Sequence, residues 1–277
     1  GEPIAYFYLD LFPREGKYKH AAAFSMITGR MLADGRYQKP VSSMVANFNK
    51  PTKDRPSLLT HNEVETFFHE FGHIMHQTLT KARYGRFAGS ATARDFVEAP
   101  SQMLENWVWE GEVLQSLSGH YRDHSKKLPN ELLGKMLAAK NVNSGLVNLR
   151  QLLFGSVDQI YHGTPPSDTT AAYARLAKDI AMIPTSEGTH PEASFGHLMG
   201  YDAGYYGYLW SKVYAEDMFS RFKADGVLSP ALGKSYRVEI LERGSSRDEM
   251  ESLKAFLGRE PNEDAFLESI GLRAGKS

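Results

Sequence analysis

Residues 69–73 read His-Glu-Phe-Gly-His, an HExxH spacing. Residues four apart on an α-helix lie within about 40° of each other around its axis, so His69 and His73 can turn two imidazoles toward one ion. Glu70, one step round, can reach a water held there. The chain has no cysteine, so any such ion must be held by His, Asp or Glu. The chemistry suggested is hydrolysis by a water activated on a zinc ion, one per chain, with Glu70 as general base. A chance match within an exposed polar face is the alternative. Against it, Thr60 and Glu63 spell a capping box and Val64, Phe67, Phe68, Phe71, Ile74, Met75 and Leu79 follow at three-to-four spacing, so the motif lies on a capped amphipathic helix. Its apolar side centres on Phe71 and Met75, and His69 and His73 project from the other side. His76 reads as a neighbour of the pair.

A catalytic zinc takes three protein ligands and keeps one position open. Glu98, Gln102 and Glu105 stand at i, i+4 and i+7 and form one polar stripe, with Met103, Leu104 and Trp107 on the opposite side. Glu98 is the candidate third ligand. Glu105 is the candidate to orient an imidazole through its free N–H. A solvated acidic face is the competing reading of this stripe. Pro100 is comfortable only in the first turn of such a helix.

These residues need a scaffold, and 277 residues, 42% apolar and 12% aromatic, suffice for one large core or two lobes around a cleft. Lys and Arg total 32 against 33 for Asp and Glu, so no net field favours nucleic acid or an anionic membrane, and a substrate is the expected partner. No apolar run is long enough to span a bilayer, residues 1–10 lack a secretory pattern, and a cytoplasmic setting is expected. The abrupt start at Gly1, with strand-like residues almost at once, suggests a segment or compact relative of something longer.

Residues 4–11 and 41–48 are expected to pair as strands, with loops between Phe12 and Pro40. The HExxH helix is expected to stop at Gly85. Further helices are expected over 95–117, 130–139, 148–161, 169–183, 201–223 and 248–257, with loops at 163–167 and 184–193. The fold class is mainly α with a small β-sheet.

The runs VETFFHEFGHIMHQ from Val64, RDFVEAPSQMLENWVWE from Arg94 and FGHLMGYDAGYYGYLWSKVYAEDMF from Phe195 resemble the thimet oligopeptidase and neurolysin family of zinc oligopeptidases. The likeness extends to FYLDLFPREGKYKHAAAF near the start and FLGREPNEDAFLESIGL near the end. It implies a zincin-like catalytic domain and an endo-acting oligopeptidase, with zinc on His69, His73 and Glu98 and the base at Glu70. It also maps a substrate-binding histidine and tyrosines onto His197, Tyr201, Tyr205 and Tyr208, whose spacing of four, four and three would place them on one helical face. Gly196, Gly200, Gly204 and Gly207 interleave with them and favour a segment that moves. The HLMGY interval is one residue shorter than in mammalian members. Members are also much longer and carry a helical N-terminal region, so residues 1–277 correspond to the single catalytic domain alone. A partner or self-association in place of that region is a further expectation.

The expected reaction is hydrolysis of internal bonds in short peptides. Tyr208 or Tyr205 would stabilise the oxyanion with zinc, His197 assisting. Tyr201 and Arg94 would bind substrate, and strand 41–48 would take the peptide backbone by edge addition. Two alternatives are a dipeptidyl carboxypeptidase, for which Arg94 would receive the substrate carboxylate, and a silent, zinc-stabilised peptide-binding module. An intact Glu70 argues against the latter.

Overall fold

A computed structural model describes residues 1–272; the last five residues of the expected 1–277 domain lie outside them. The two expected strands are present as β1 (Tyr6–Asp10) and β5 (Val41–Val45), and they run parallel, with Tyr6 opposite Val41 and Asp10 opposite Val45. A third strand, β2 (Ala22–Ile27), lies within the stretch expected to be loops and pairs antiparallel to β5, giving the order β1-β5-β2. A short ladder, β3 (Arg30–Met31) with β4 (Tyr37–Gln38), lies beside it. β2 opens on two alanines of little strand preference, and its pairing with β5 completes what Phe24 and Ile27 favour. Because β5 is flanked on both sides, it has no free edge, which overturns the expectation that strand 41–48 accepts a peptide by edge addition. The unpaired edge beside the cleft belongs to β2.

The sheet supports α1 (His61–Thr78). Thr60 Oγ1 accepts from Glu63 N–H, and the Glu63 carboxylate accepts from Thr60 N–H at 2.7 Å, so the capping box is formed. Ser42 and Met44 of β5 are buried, and Phe7 of β1 packs edge-on against Phe71 at 5.6 Å. The helix ends at Leu79 rather than Gly85. Thr78 Oγ1 donates back to Ile74 O at 2.6 Å, the local competition that makes threonine a poor helix continuer.

The side of α1 opposite the sheet is partly covered by α2 (Ala99–Glu105), so Glu70 is buried while His69 and His73 are half-buried. The contact is backbone on backbone: a Cβ at Gly72 would lie 2.6 Å from Ser101 Cα and 2.9 Å from Pro100 O. The helix expected over 95–117 is broken. After α2 a 3₁₀ turn covers Asn106–Trp109, Glu110 is extended, and α3 (Gly111–Leu117) follows. The two tryptophans of the turn are held by different partners. Trp107 stacks edge-on with Phe219 and Phe222, while Trp109 Nε1 donates to Glu65 on α1 at 2.9 Å.

Three helices follow as expected in number, α4 (Asn130–Ala139), α5 (Ser144–His162) and α6 (Thr169–Ile180). The helix expected from Tyr201 begins only at Gly207 as α7 (Gly207–Asp225), because the chain turns at Ala203, whose φ is 52°. α7 runs through the main core, where Ala215, Met218, Phe219 and Phe222 meet Phe96 and Met103 from the α2 region. They also meet Leu253 and Phe256 of α9 (Glu249–Leu257). α8 (Pro230–Tyr236), continued by a π-helical turn, and α10 (Asp264–Ser269) complete the chain. Among the described residues no helix is long and apolar enough to cross a membrane.

The Gly72 contact sets two effects against each other. In an ordinary helix Gly→Ala stabilises by about 1 kcal/mol, whereas overpacking a tight contact costs about 1–3 kcal/mol. Because the obstructing atoms here are backbone, Gly72→Ala should lower unfolding stability by about 2 kcal/mol in a urea titration. An increase in stability would mean that the helices can separate without cost.

Candidate metal centre

α1 carries His69, Glu70 and His73, and Glu98 stands at the N-cap of α2 rather than inside a helical stripe. The ligand atoms of His69, His73 and Glu98 all lie within 4.8 Å of one another. His69 Nε2 is 3.3 Å and His73 Nε2 3.0 Å from Glu98 Oε2. His69 Nδ1 faces Glu105 Oε1 at 2.7 Å, so its N–H donates there and Nε2 is left for the centre. Ser101 Oγ steadies Glu98 by donating to Oε2 at 3.1 Å, and the Tyr201 hydroxyl donates to Oε1 at 3.3 Å. Two imidazoles and one carboxylate are a donor set suited to a catalytic zinc with one open position.

The electrostatics ask for a cation. Burial alone would lower the pKa of His69, but its hydrogen bonds to Glu105 and Glu98 push it up to about 10. Burial would raise Glu98, and the two histidines hold it well below the usual carboxylate range. Glu70 is raised by burial, against the opposing charges of His69 and His73. His76 is wholly buried, neither ring nitrogen has a hydrogen-bond partner among the described residues, and burial lowers its pKa to about 3. It stands outside the cluster, as a neighbour.

A residue the sequence reading missed completes the charge balance. Lys212 on α7 lies 3.2 Å from Glu105 Oε2 and 2.9 Å from Glu216 Oε1, and Asn106 Nδ2 donates to the same Glu216 oxygen at 3.2 Å. Burial would lower the pKa of Lys212, but the charges of Glu216 and Glu105 raise it instead. Burial would likewise raise Glu105, and Lys212, followed by His69, lowers it. The i, i+4 pair with Glu216 is a local signal for Lys212, but its link to Glu105, 107 residues away, has none.

The centre forms the floor of a cleft of about 920 Å³. One wall is Tyr18, His20 and Ala21, Ala22 and Ala23, the approach to and start of the free-edged strand β2; the other includes Phe195, His197, Tyr201 and Tyr208. Tyr18 and His20 also escaped the sequence reading, because they fall in the stretch taken as loops. The four expected aromatic groups do gather, with His197 5.2 Å from Tyr205 and 5.7 Å from Tyr208, and Tyr201 stacked on Tyr208 at 5.0 Å. They gather through turns rather than along one helical face. The Tyr208 hydroxyl is 3.5 Å from His197 Nε2, and burial followed by the Glu98 charge raises its pKa, so it stays a protonated donor. His197 is lowered, first by burial and then by His20. Tyr205 is placed differently: its hydroxyl donates to Gln151 Oε1 at 3.0 Å, and it is buried and does not line the cleft. Arg94 also lies off the lining, its guanidinium 5.6 Å over the Tyr201 ring and bonded to Asp202 O at 3.2 Å.

The sequence matches Peptidase family M3 over residues 1–272. It is 50% identical over 274 residues to thimet-like oligopeptidase of Dictyostelium discoideum, covering 97% of this chain and 41% of that protein. Identity is 44% to saccharolysin of Saccharomyces cerevisiae, covering 98% of this chain and 39% of the relative. It is 45% to oligopeptidase A of Escherichia coli, with 96% and 40% covered. The chain thus spans about two fifths of the length of these relatives. Among solved structures, Trypanosoma cruzi metallocarboxypeptidase 1 superposes with a TM-score of 0.68 at 14% identity, over 98% of this chain and 55% of that one. PZ peptidase A with inhibitor 2 gives 0.60 at 12%, over 95% and 42%. At such identities the agreement is one of fold.

The buried row Glu105–Lys212–Glu216 yields a stability test. Removing the cation from a buried pair costs about 3 kcal/mol, so Lys212→Met should lose that much at pH 7. Glu105 has a lowered folded pKa, so its stabilising charge is fully present above the ordinary value of 4.5 and is lost as pH falls through the folded value. Protonating Glu105 removes the charge that the variant leaves unbalanced. The difference from wild type should therefore narrow in urea titrations below pH 4.5, and a constant difference from pH 7 downward would refute the assignment.

Proposed function

The chain belongs to peptidase family M3, and from that premise we propose that it is the catalytic domain of a zinc-dependent metalloendopeptidase acting on internal bonds of short peptides. A metal cofactor goes with membership of this metallopeptidase family; zinc is our assignment, from the two-imidazole, one-carboxylate set. The observation that carries the reading is the convergence of His69, His73 and Glu98 within 4.8 Å on a cleft floor that also holds Glu70. Zinc, when bound, supplies a Lewis acid and a water of lowered pKa. Glu70, its proton affinity raised by burial, takes the proton of the attacking water and returns it to the leaving amine. Tyr208 donates to the developing oxyanion, and His197 assists from the same wall. Tyr201 orients Glu98 and presents its ring to the substrate. The free edge of β2 is the surface to which a peptide backbone adds as a further strand. The cytoplasmic setting expected from the sequence is part of this reading.

The endopeptidase reading is favoured over the dipeptidyl carboxypeptidase by the cleft lining. Among the described residues that lining has no Lys or Arg to receive a terminal carboxylate, and Arg94 is engaged with Tyr201 and Asp202. The deciding experiment is turnover of an internally quenched peptide blocked at both ends, with elemental analysis of the same preparation. Retention without cleavage would leave a binding module.

Two substitutions separate the roles. Glu70→Gln preserves size and removes the base, so it should retain metal on dialysis and lose kcat by about a thousandfold, within the range of general base catalysis. Wild-type turnover at equal metal content would remove Glu70 from the reaction. Tyr208→Phe should lower kcat by about a hundredfold with KM nearly unchanged, as for loss of one oxyanion donor. Tyr205→Phe should leave kcat within about threefold of wild type, because its hydroxyl is spent on Gln151. The reverse ranking would move the donor to Tyr205.

A further inference from the structure

The turn that carries the tyrosines is gripped from below by one face of α5. Asp158 is 1% exposed and lies in a position no part of the reaction uses. Its Oδ1 accepts from the Ala203 N–H and its Oδ2 from the Tyr205 N–H, both at 2.9 Å. Gln159, the next residue, donates from Nε2 to Ala203 O at 3.0 Å, and Gln151, two turns earlier on the same face, accepts from the Tyr205 hydroxyl. Two oxygens of one buried carboxylate thus fix alternate amides of a segment whose other backbone bonds are local, from Tyr201 N to His197 O and from Gly204 N to Tyr201 O. Between the two gripped amides the chain takes up its left-handed bend, φ 52° at Ala203, a conformation an alanine leaves unless it is held. His162 Nδ1, 2.9 Å from Asp158 Oδ1, is the group that faces the carboxylate from its own helix.

The bend decides where two phenols go. Tyr201 precedes it and Tyr208 follows it, yet their rings stack at 5.0 Å and the Tyr201 hydroxyl reaches Glu98 Oε1. A continuous helix from Tyr201 could not form, since Ala203 breaks it. Two further holds, Arg94 to Asp202 O and the Tyr206 hydroxyl to Asp95, are on exposed side chains of the other flank. Exposed bonds exchange with water more readily than a charge-assisted pair in the interior, so the Asp158 grip is the firmer one.

We propose that Asp158 is a positioning residue, whose carboxylate, bonded to the amides of Ala203 and Tyr205, sets the Tyr201 and Tyr208 phenols over the candidate centre. This rests on the peptidase reading for its consequence in turnover, and on the geometry alone for the grip itself. A carboxylate that merely balances His162 would leave the turn unaffected when its charge is removed.

The test uses Asp158→Asn, Tyr208→Phe and the double variant of the whole chain. Asparagine keeps the shape but points an N–H at one of the amides. Amide exchange by mass spectrometry should then quicken by about tenfold or more in the segment 201–206, with bulk exchange of α7 unchanged. Metal content should stay at the wild-type level. A displacement of about 1 Å costs up to a hundredfold, so kcat on the blocked quenched peptide should fall by about ten- to a hundredfold. If the loss acts through the phenol, Asp158→Asn in the Tyr208→Phe background should add less than about threefold, since residues acting as a unit are not additive. Ala203→Gly adopts the bend without strain and should return part of the lost kcat to Asp158→Asn.

Independent, multiplying effects of the two substitutions would overturn the proposal, as would unchanged exchange. Should Asp158→Asn fail to fold, Gln159→Ala removes the exposed half of the same grip. It should show the same non-additivity on a smaller scale, and additivity there counts against the proposal equally. If wild type cleaves no peptide while exchange quickens as expected, the grip stands and the peptidase reading is what fails.

Discussion

Helix α1 can lie against α2 only because Gly72 has no side chain, and every distance in the candidate centre follows from that approach. His69 and His73 are fixed on α1 by helical geometry, but Glu98 belongs to a different element and reaches them only if α2 starts where it does. The helix starts there because Pro100 sits in its first turn, where it needs no N–H donor, and because Ser101 folds its hydroxyl back on Glu98. Were the two helices held apart by a methyl group, the carboxylate would leave the 3.0–3.3 Å range in which it now meets both imidazoles. The glycine of the motif is thus as much a determinant of the centre as the histidines that flank it.

That approach buries charge, and the burial is tolerated because signs alternate. From the cleft inward run His69, Glu105, Lys212 and Glu216, each within 3.2 Å of the next. Isolated, any of these ions would cost several kcal/mol to desolvate. As a row they satisfy one another, and Asn106 closes the far end. At the near end His69 meets both Glu105 and Glu98, and these hydrogen bonds, working against burial, drive its pKa up to about 10. A dication held by Nε2 of the two histidines would supply counter-charge to Glu98, with the Nδ1 donation of His69 to Glu105 undisturbed.

Local signals are legible in the sequence, and contacts between distant elements are not. The Thr60–Glu63 box and the HExxH helix depend on neighbours three and four residues apart, so both could be read, whereas Glu98 stands at the N-cap of α2 rather than in the helical stripe that its spacing with Gln102 and Glu105 suggests. Lys212 could not be read, since only the crossing of α7 over α2 makes it a partner of Glu105. β2 is hard to read because Ala22, Ala23 and Ser25 interrupt the strand-favouring Phe24 and Ile27, and the surrounding turn residues argue for loops until β5 is beside it. The start of α8 is marked by the Ser229–Pro230 pair, with Ser229 Oγ capping Leu232 N–H, and Leu232, Tyr236 and Ile240 follow at four-residue spacing into the core. The tyrosines met as expected for a reason the spacing did not contain. Four, four and three describes a helical face, and the structure instead bends at Ala203 and brings the rings together in a turn.

The two halves of the cleft are therefore built on different principles. The floor is two regular helices in backbone contact, with His69 held by Glu105 and Glu98 by Ser101 and Tyr201, so the geometry of these candidate donors is set before anything binds. The donor wall consists of 3₁₀ turns at Pro191–Ser194 and Gly196–Met199 and the bend that follows, with one buried anchor and several exposed ones. A wall of that kind can yield to peptides of different sequence while the floor keeps its shape. Under the proposed function this division is physically sensible: the cleavage geometry would have to be the same for every bond, whereas the side chains flanking the bond would differ. Under the same proposal the edge of β2 would answer this need from the other side, since it offers main-chain partners that every peptide can match.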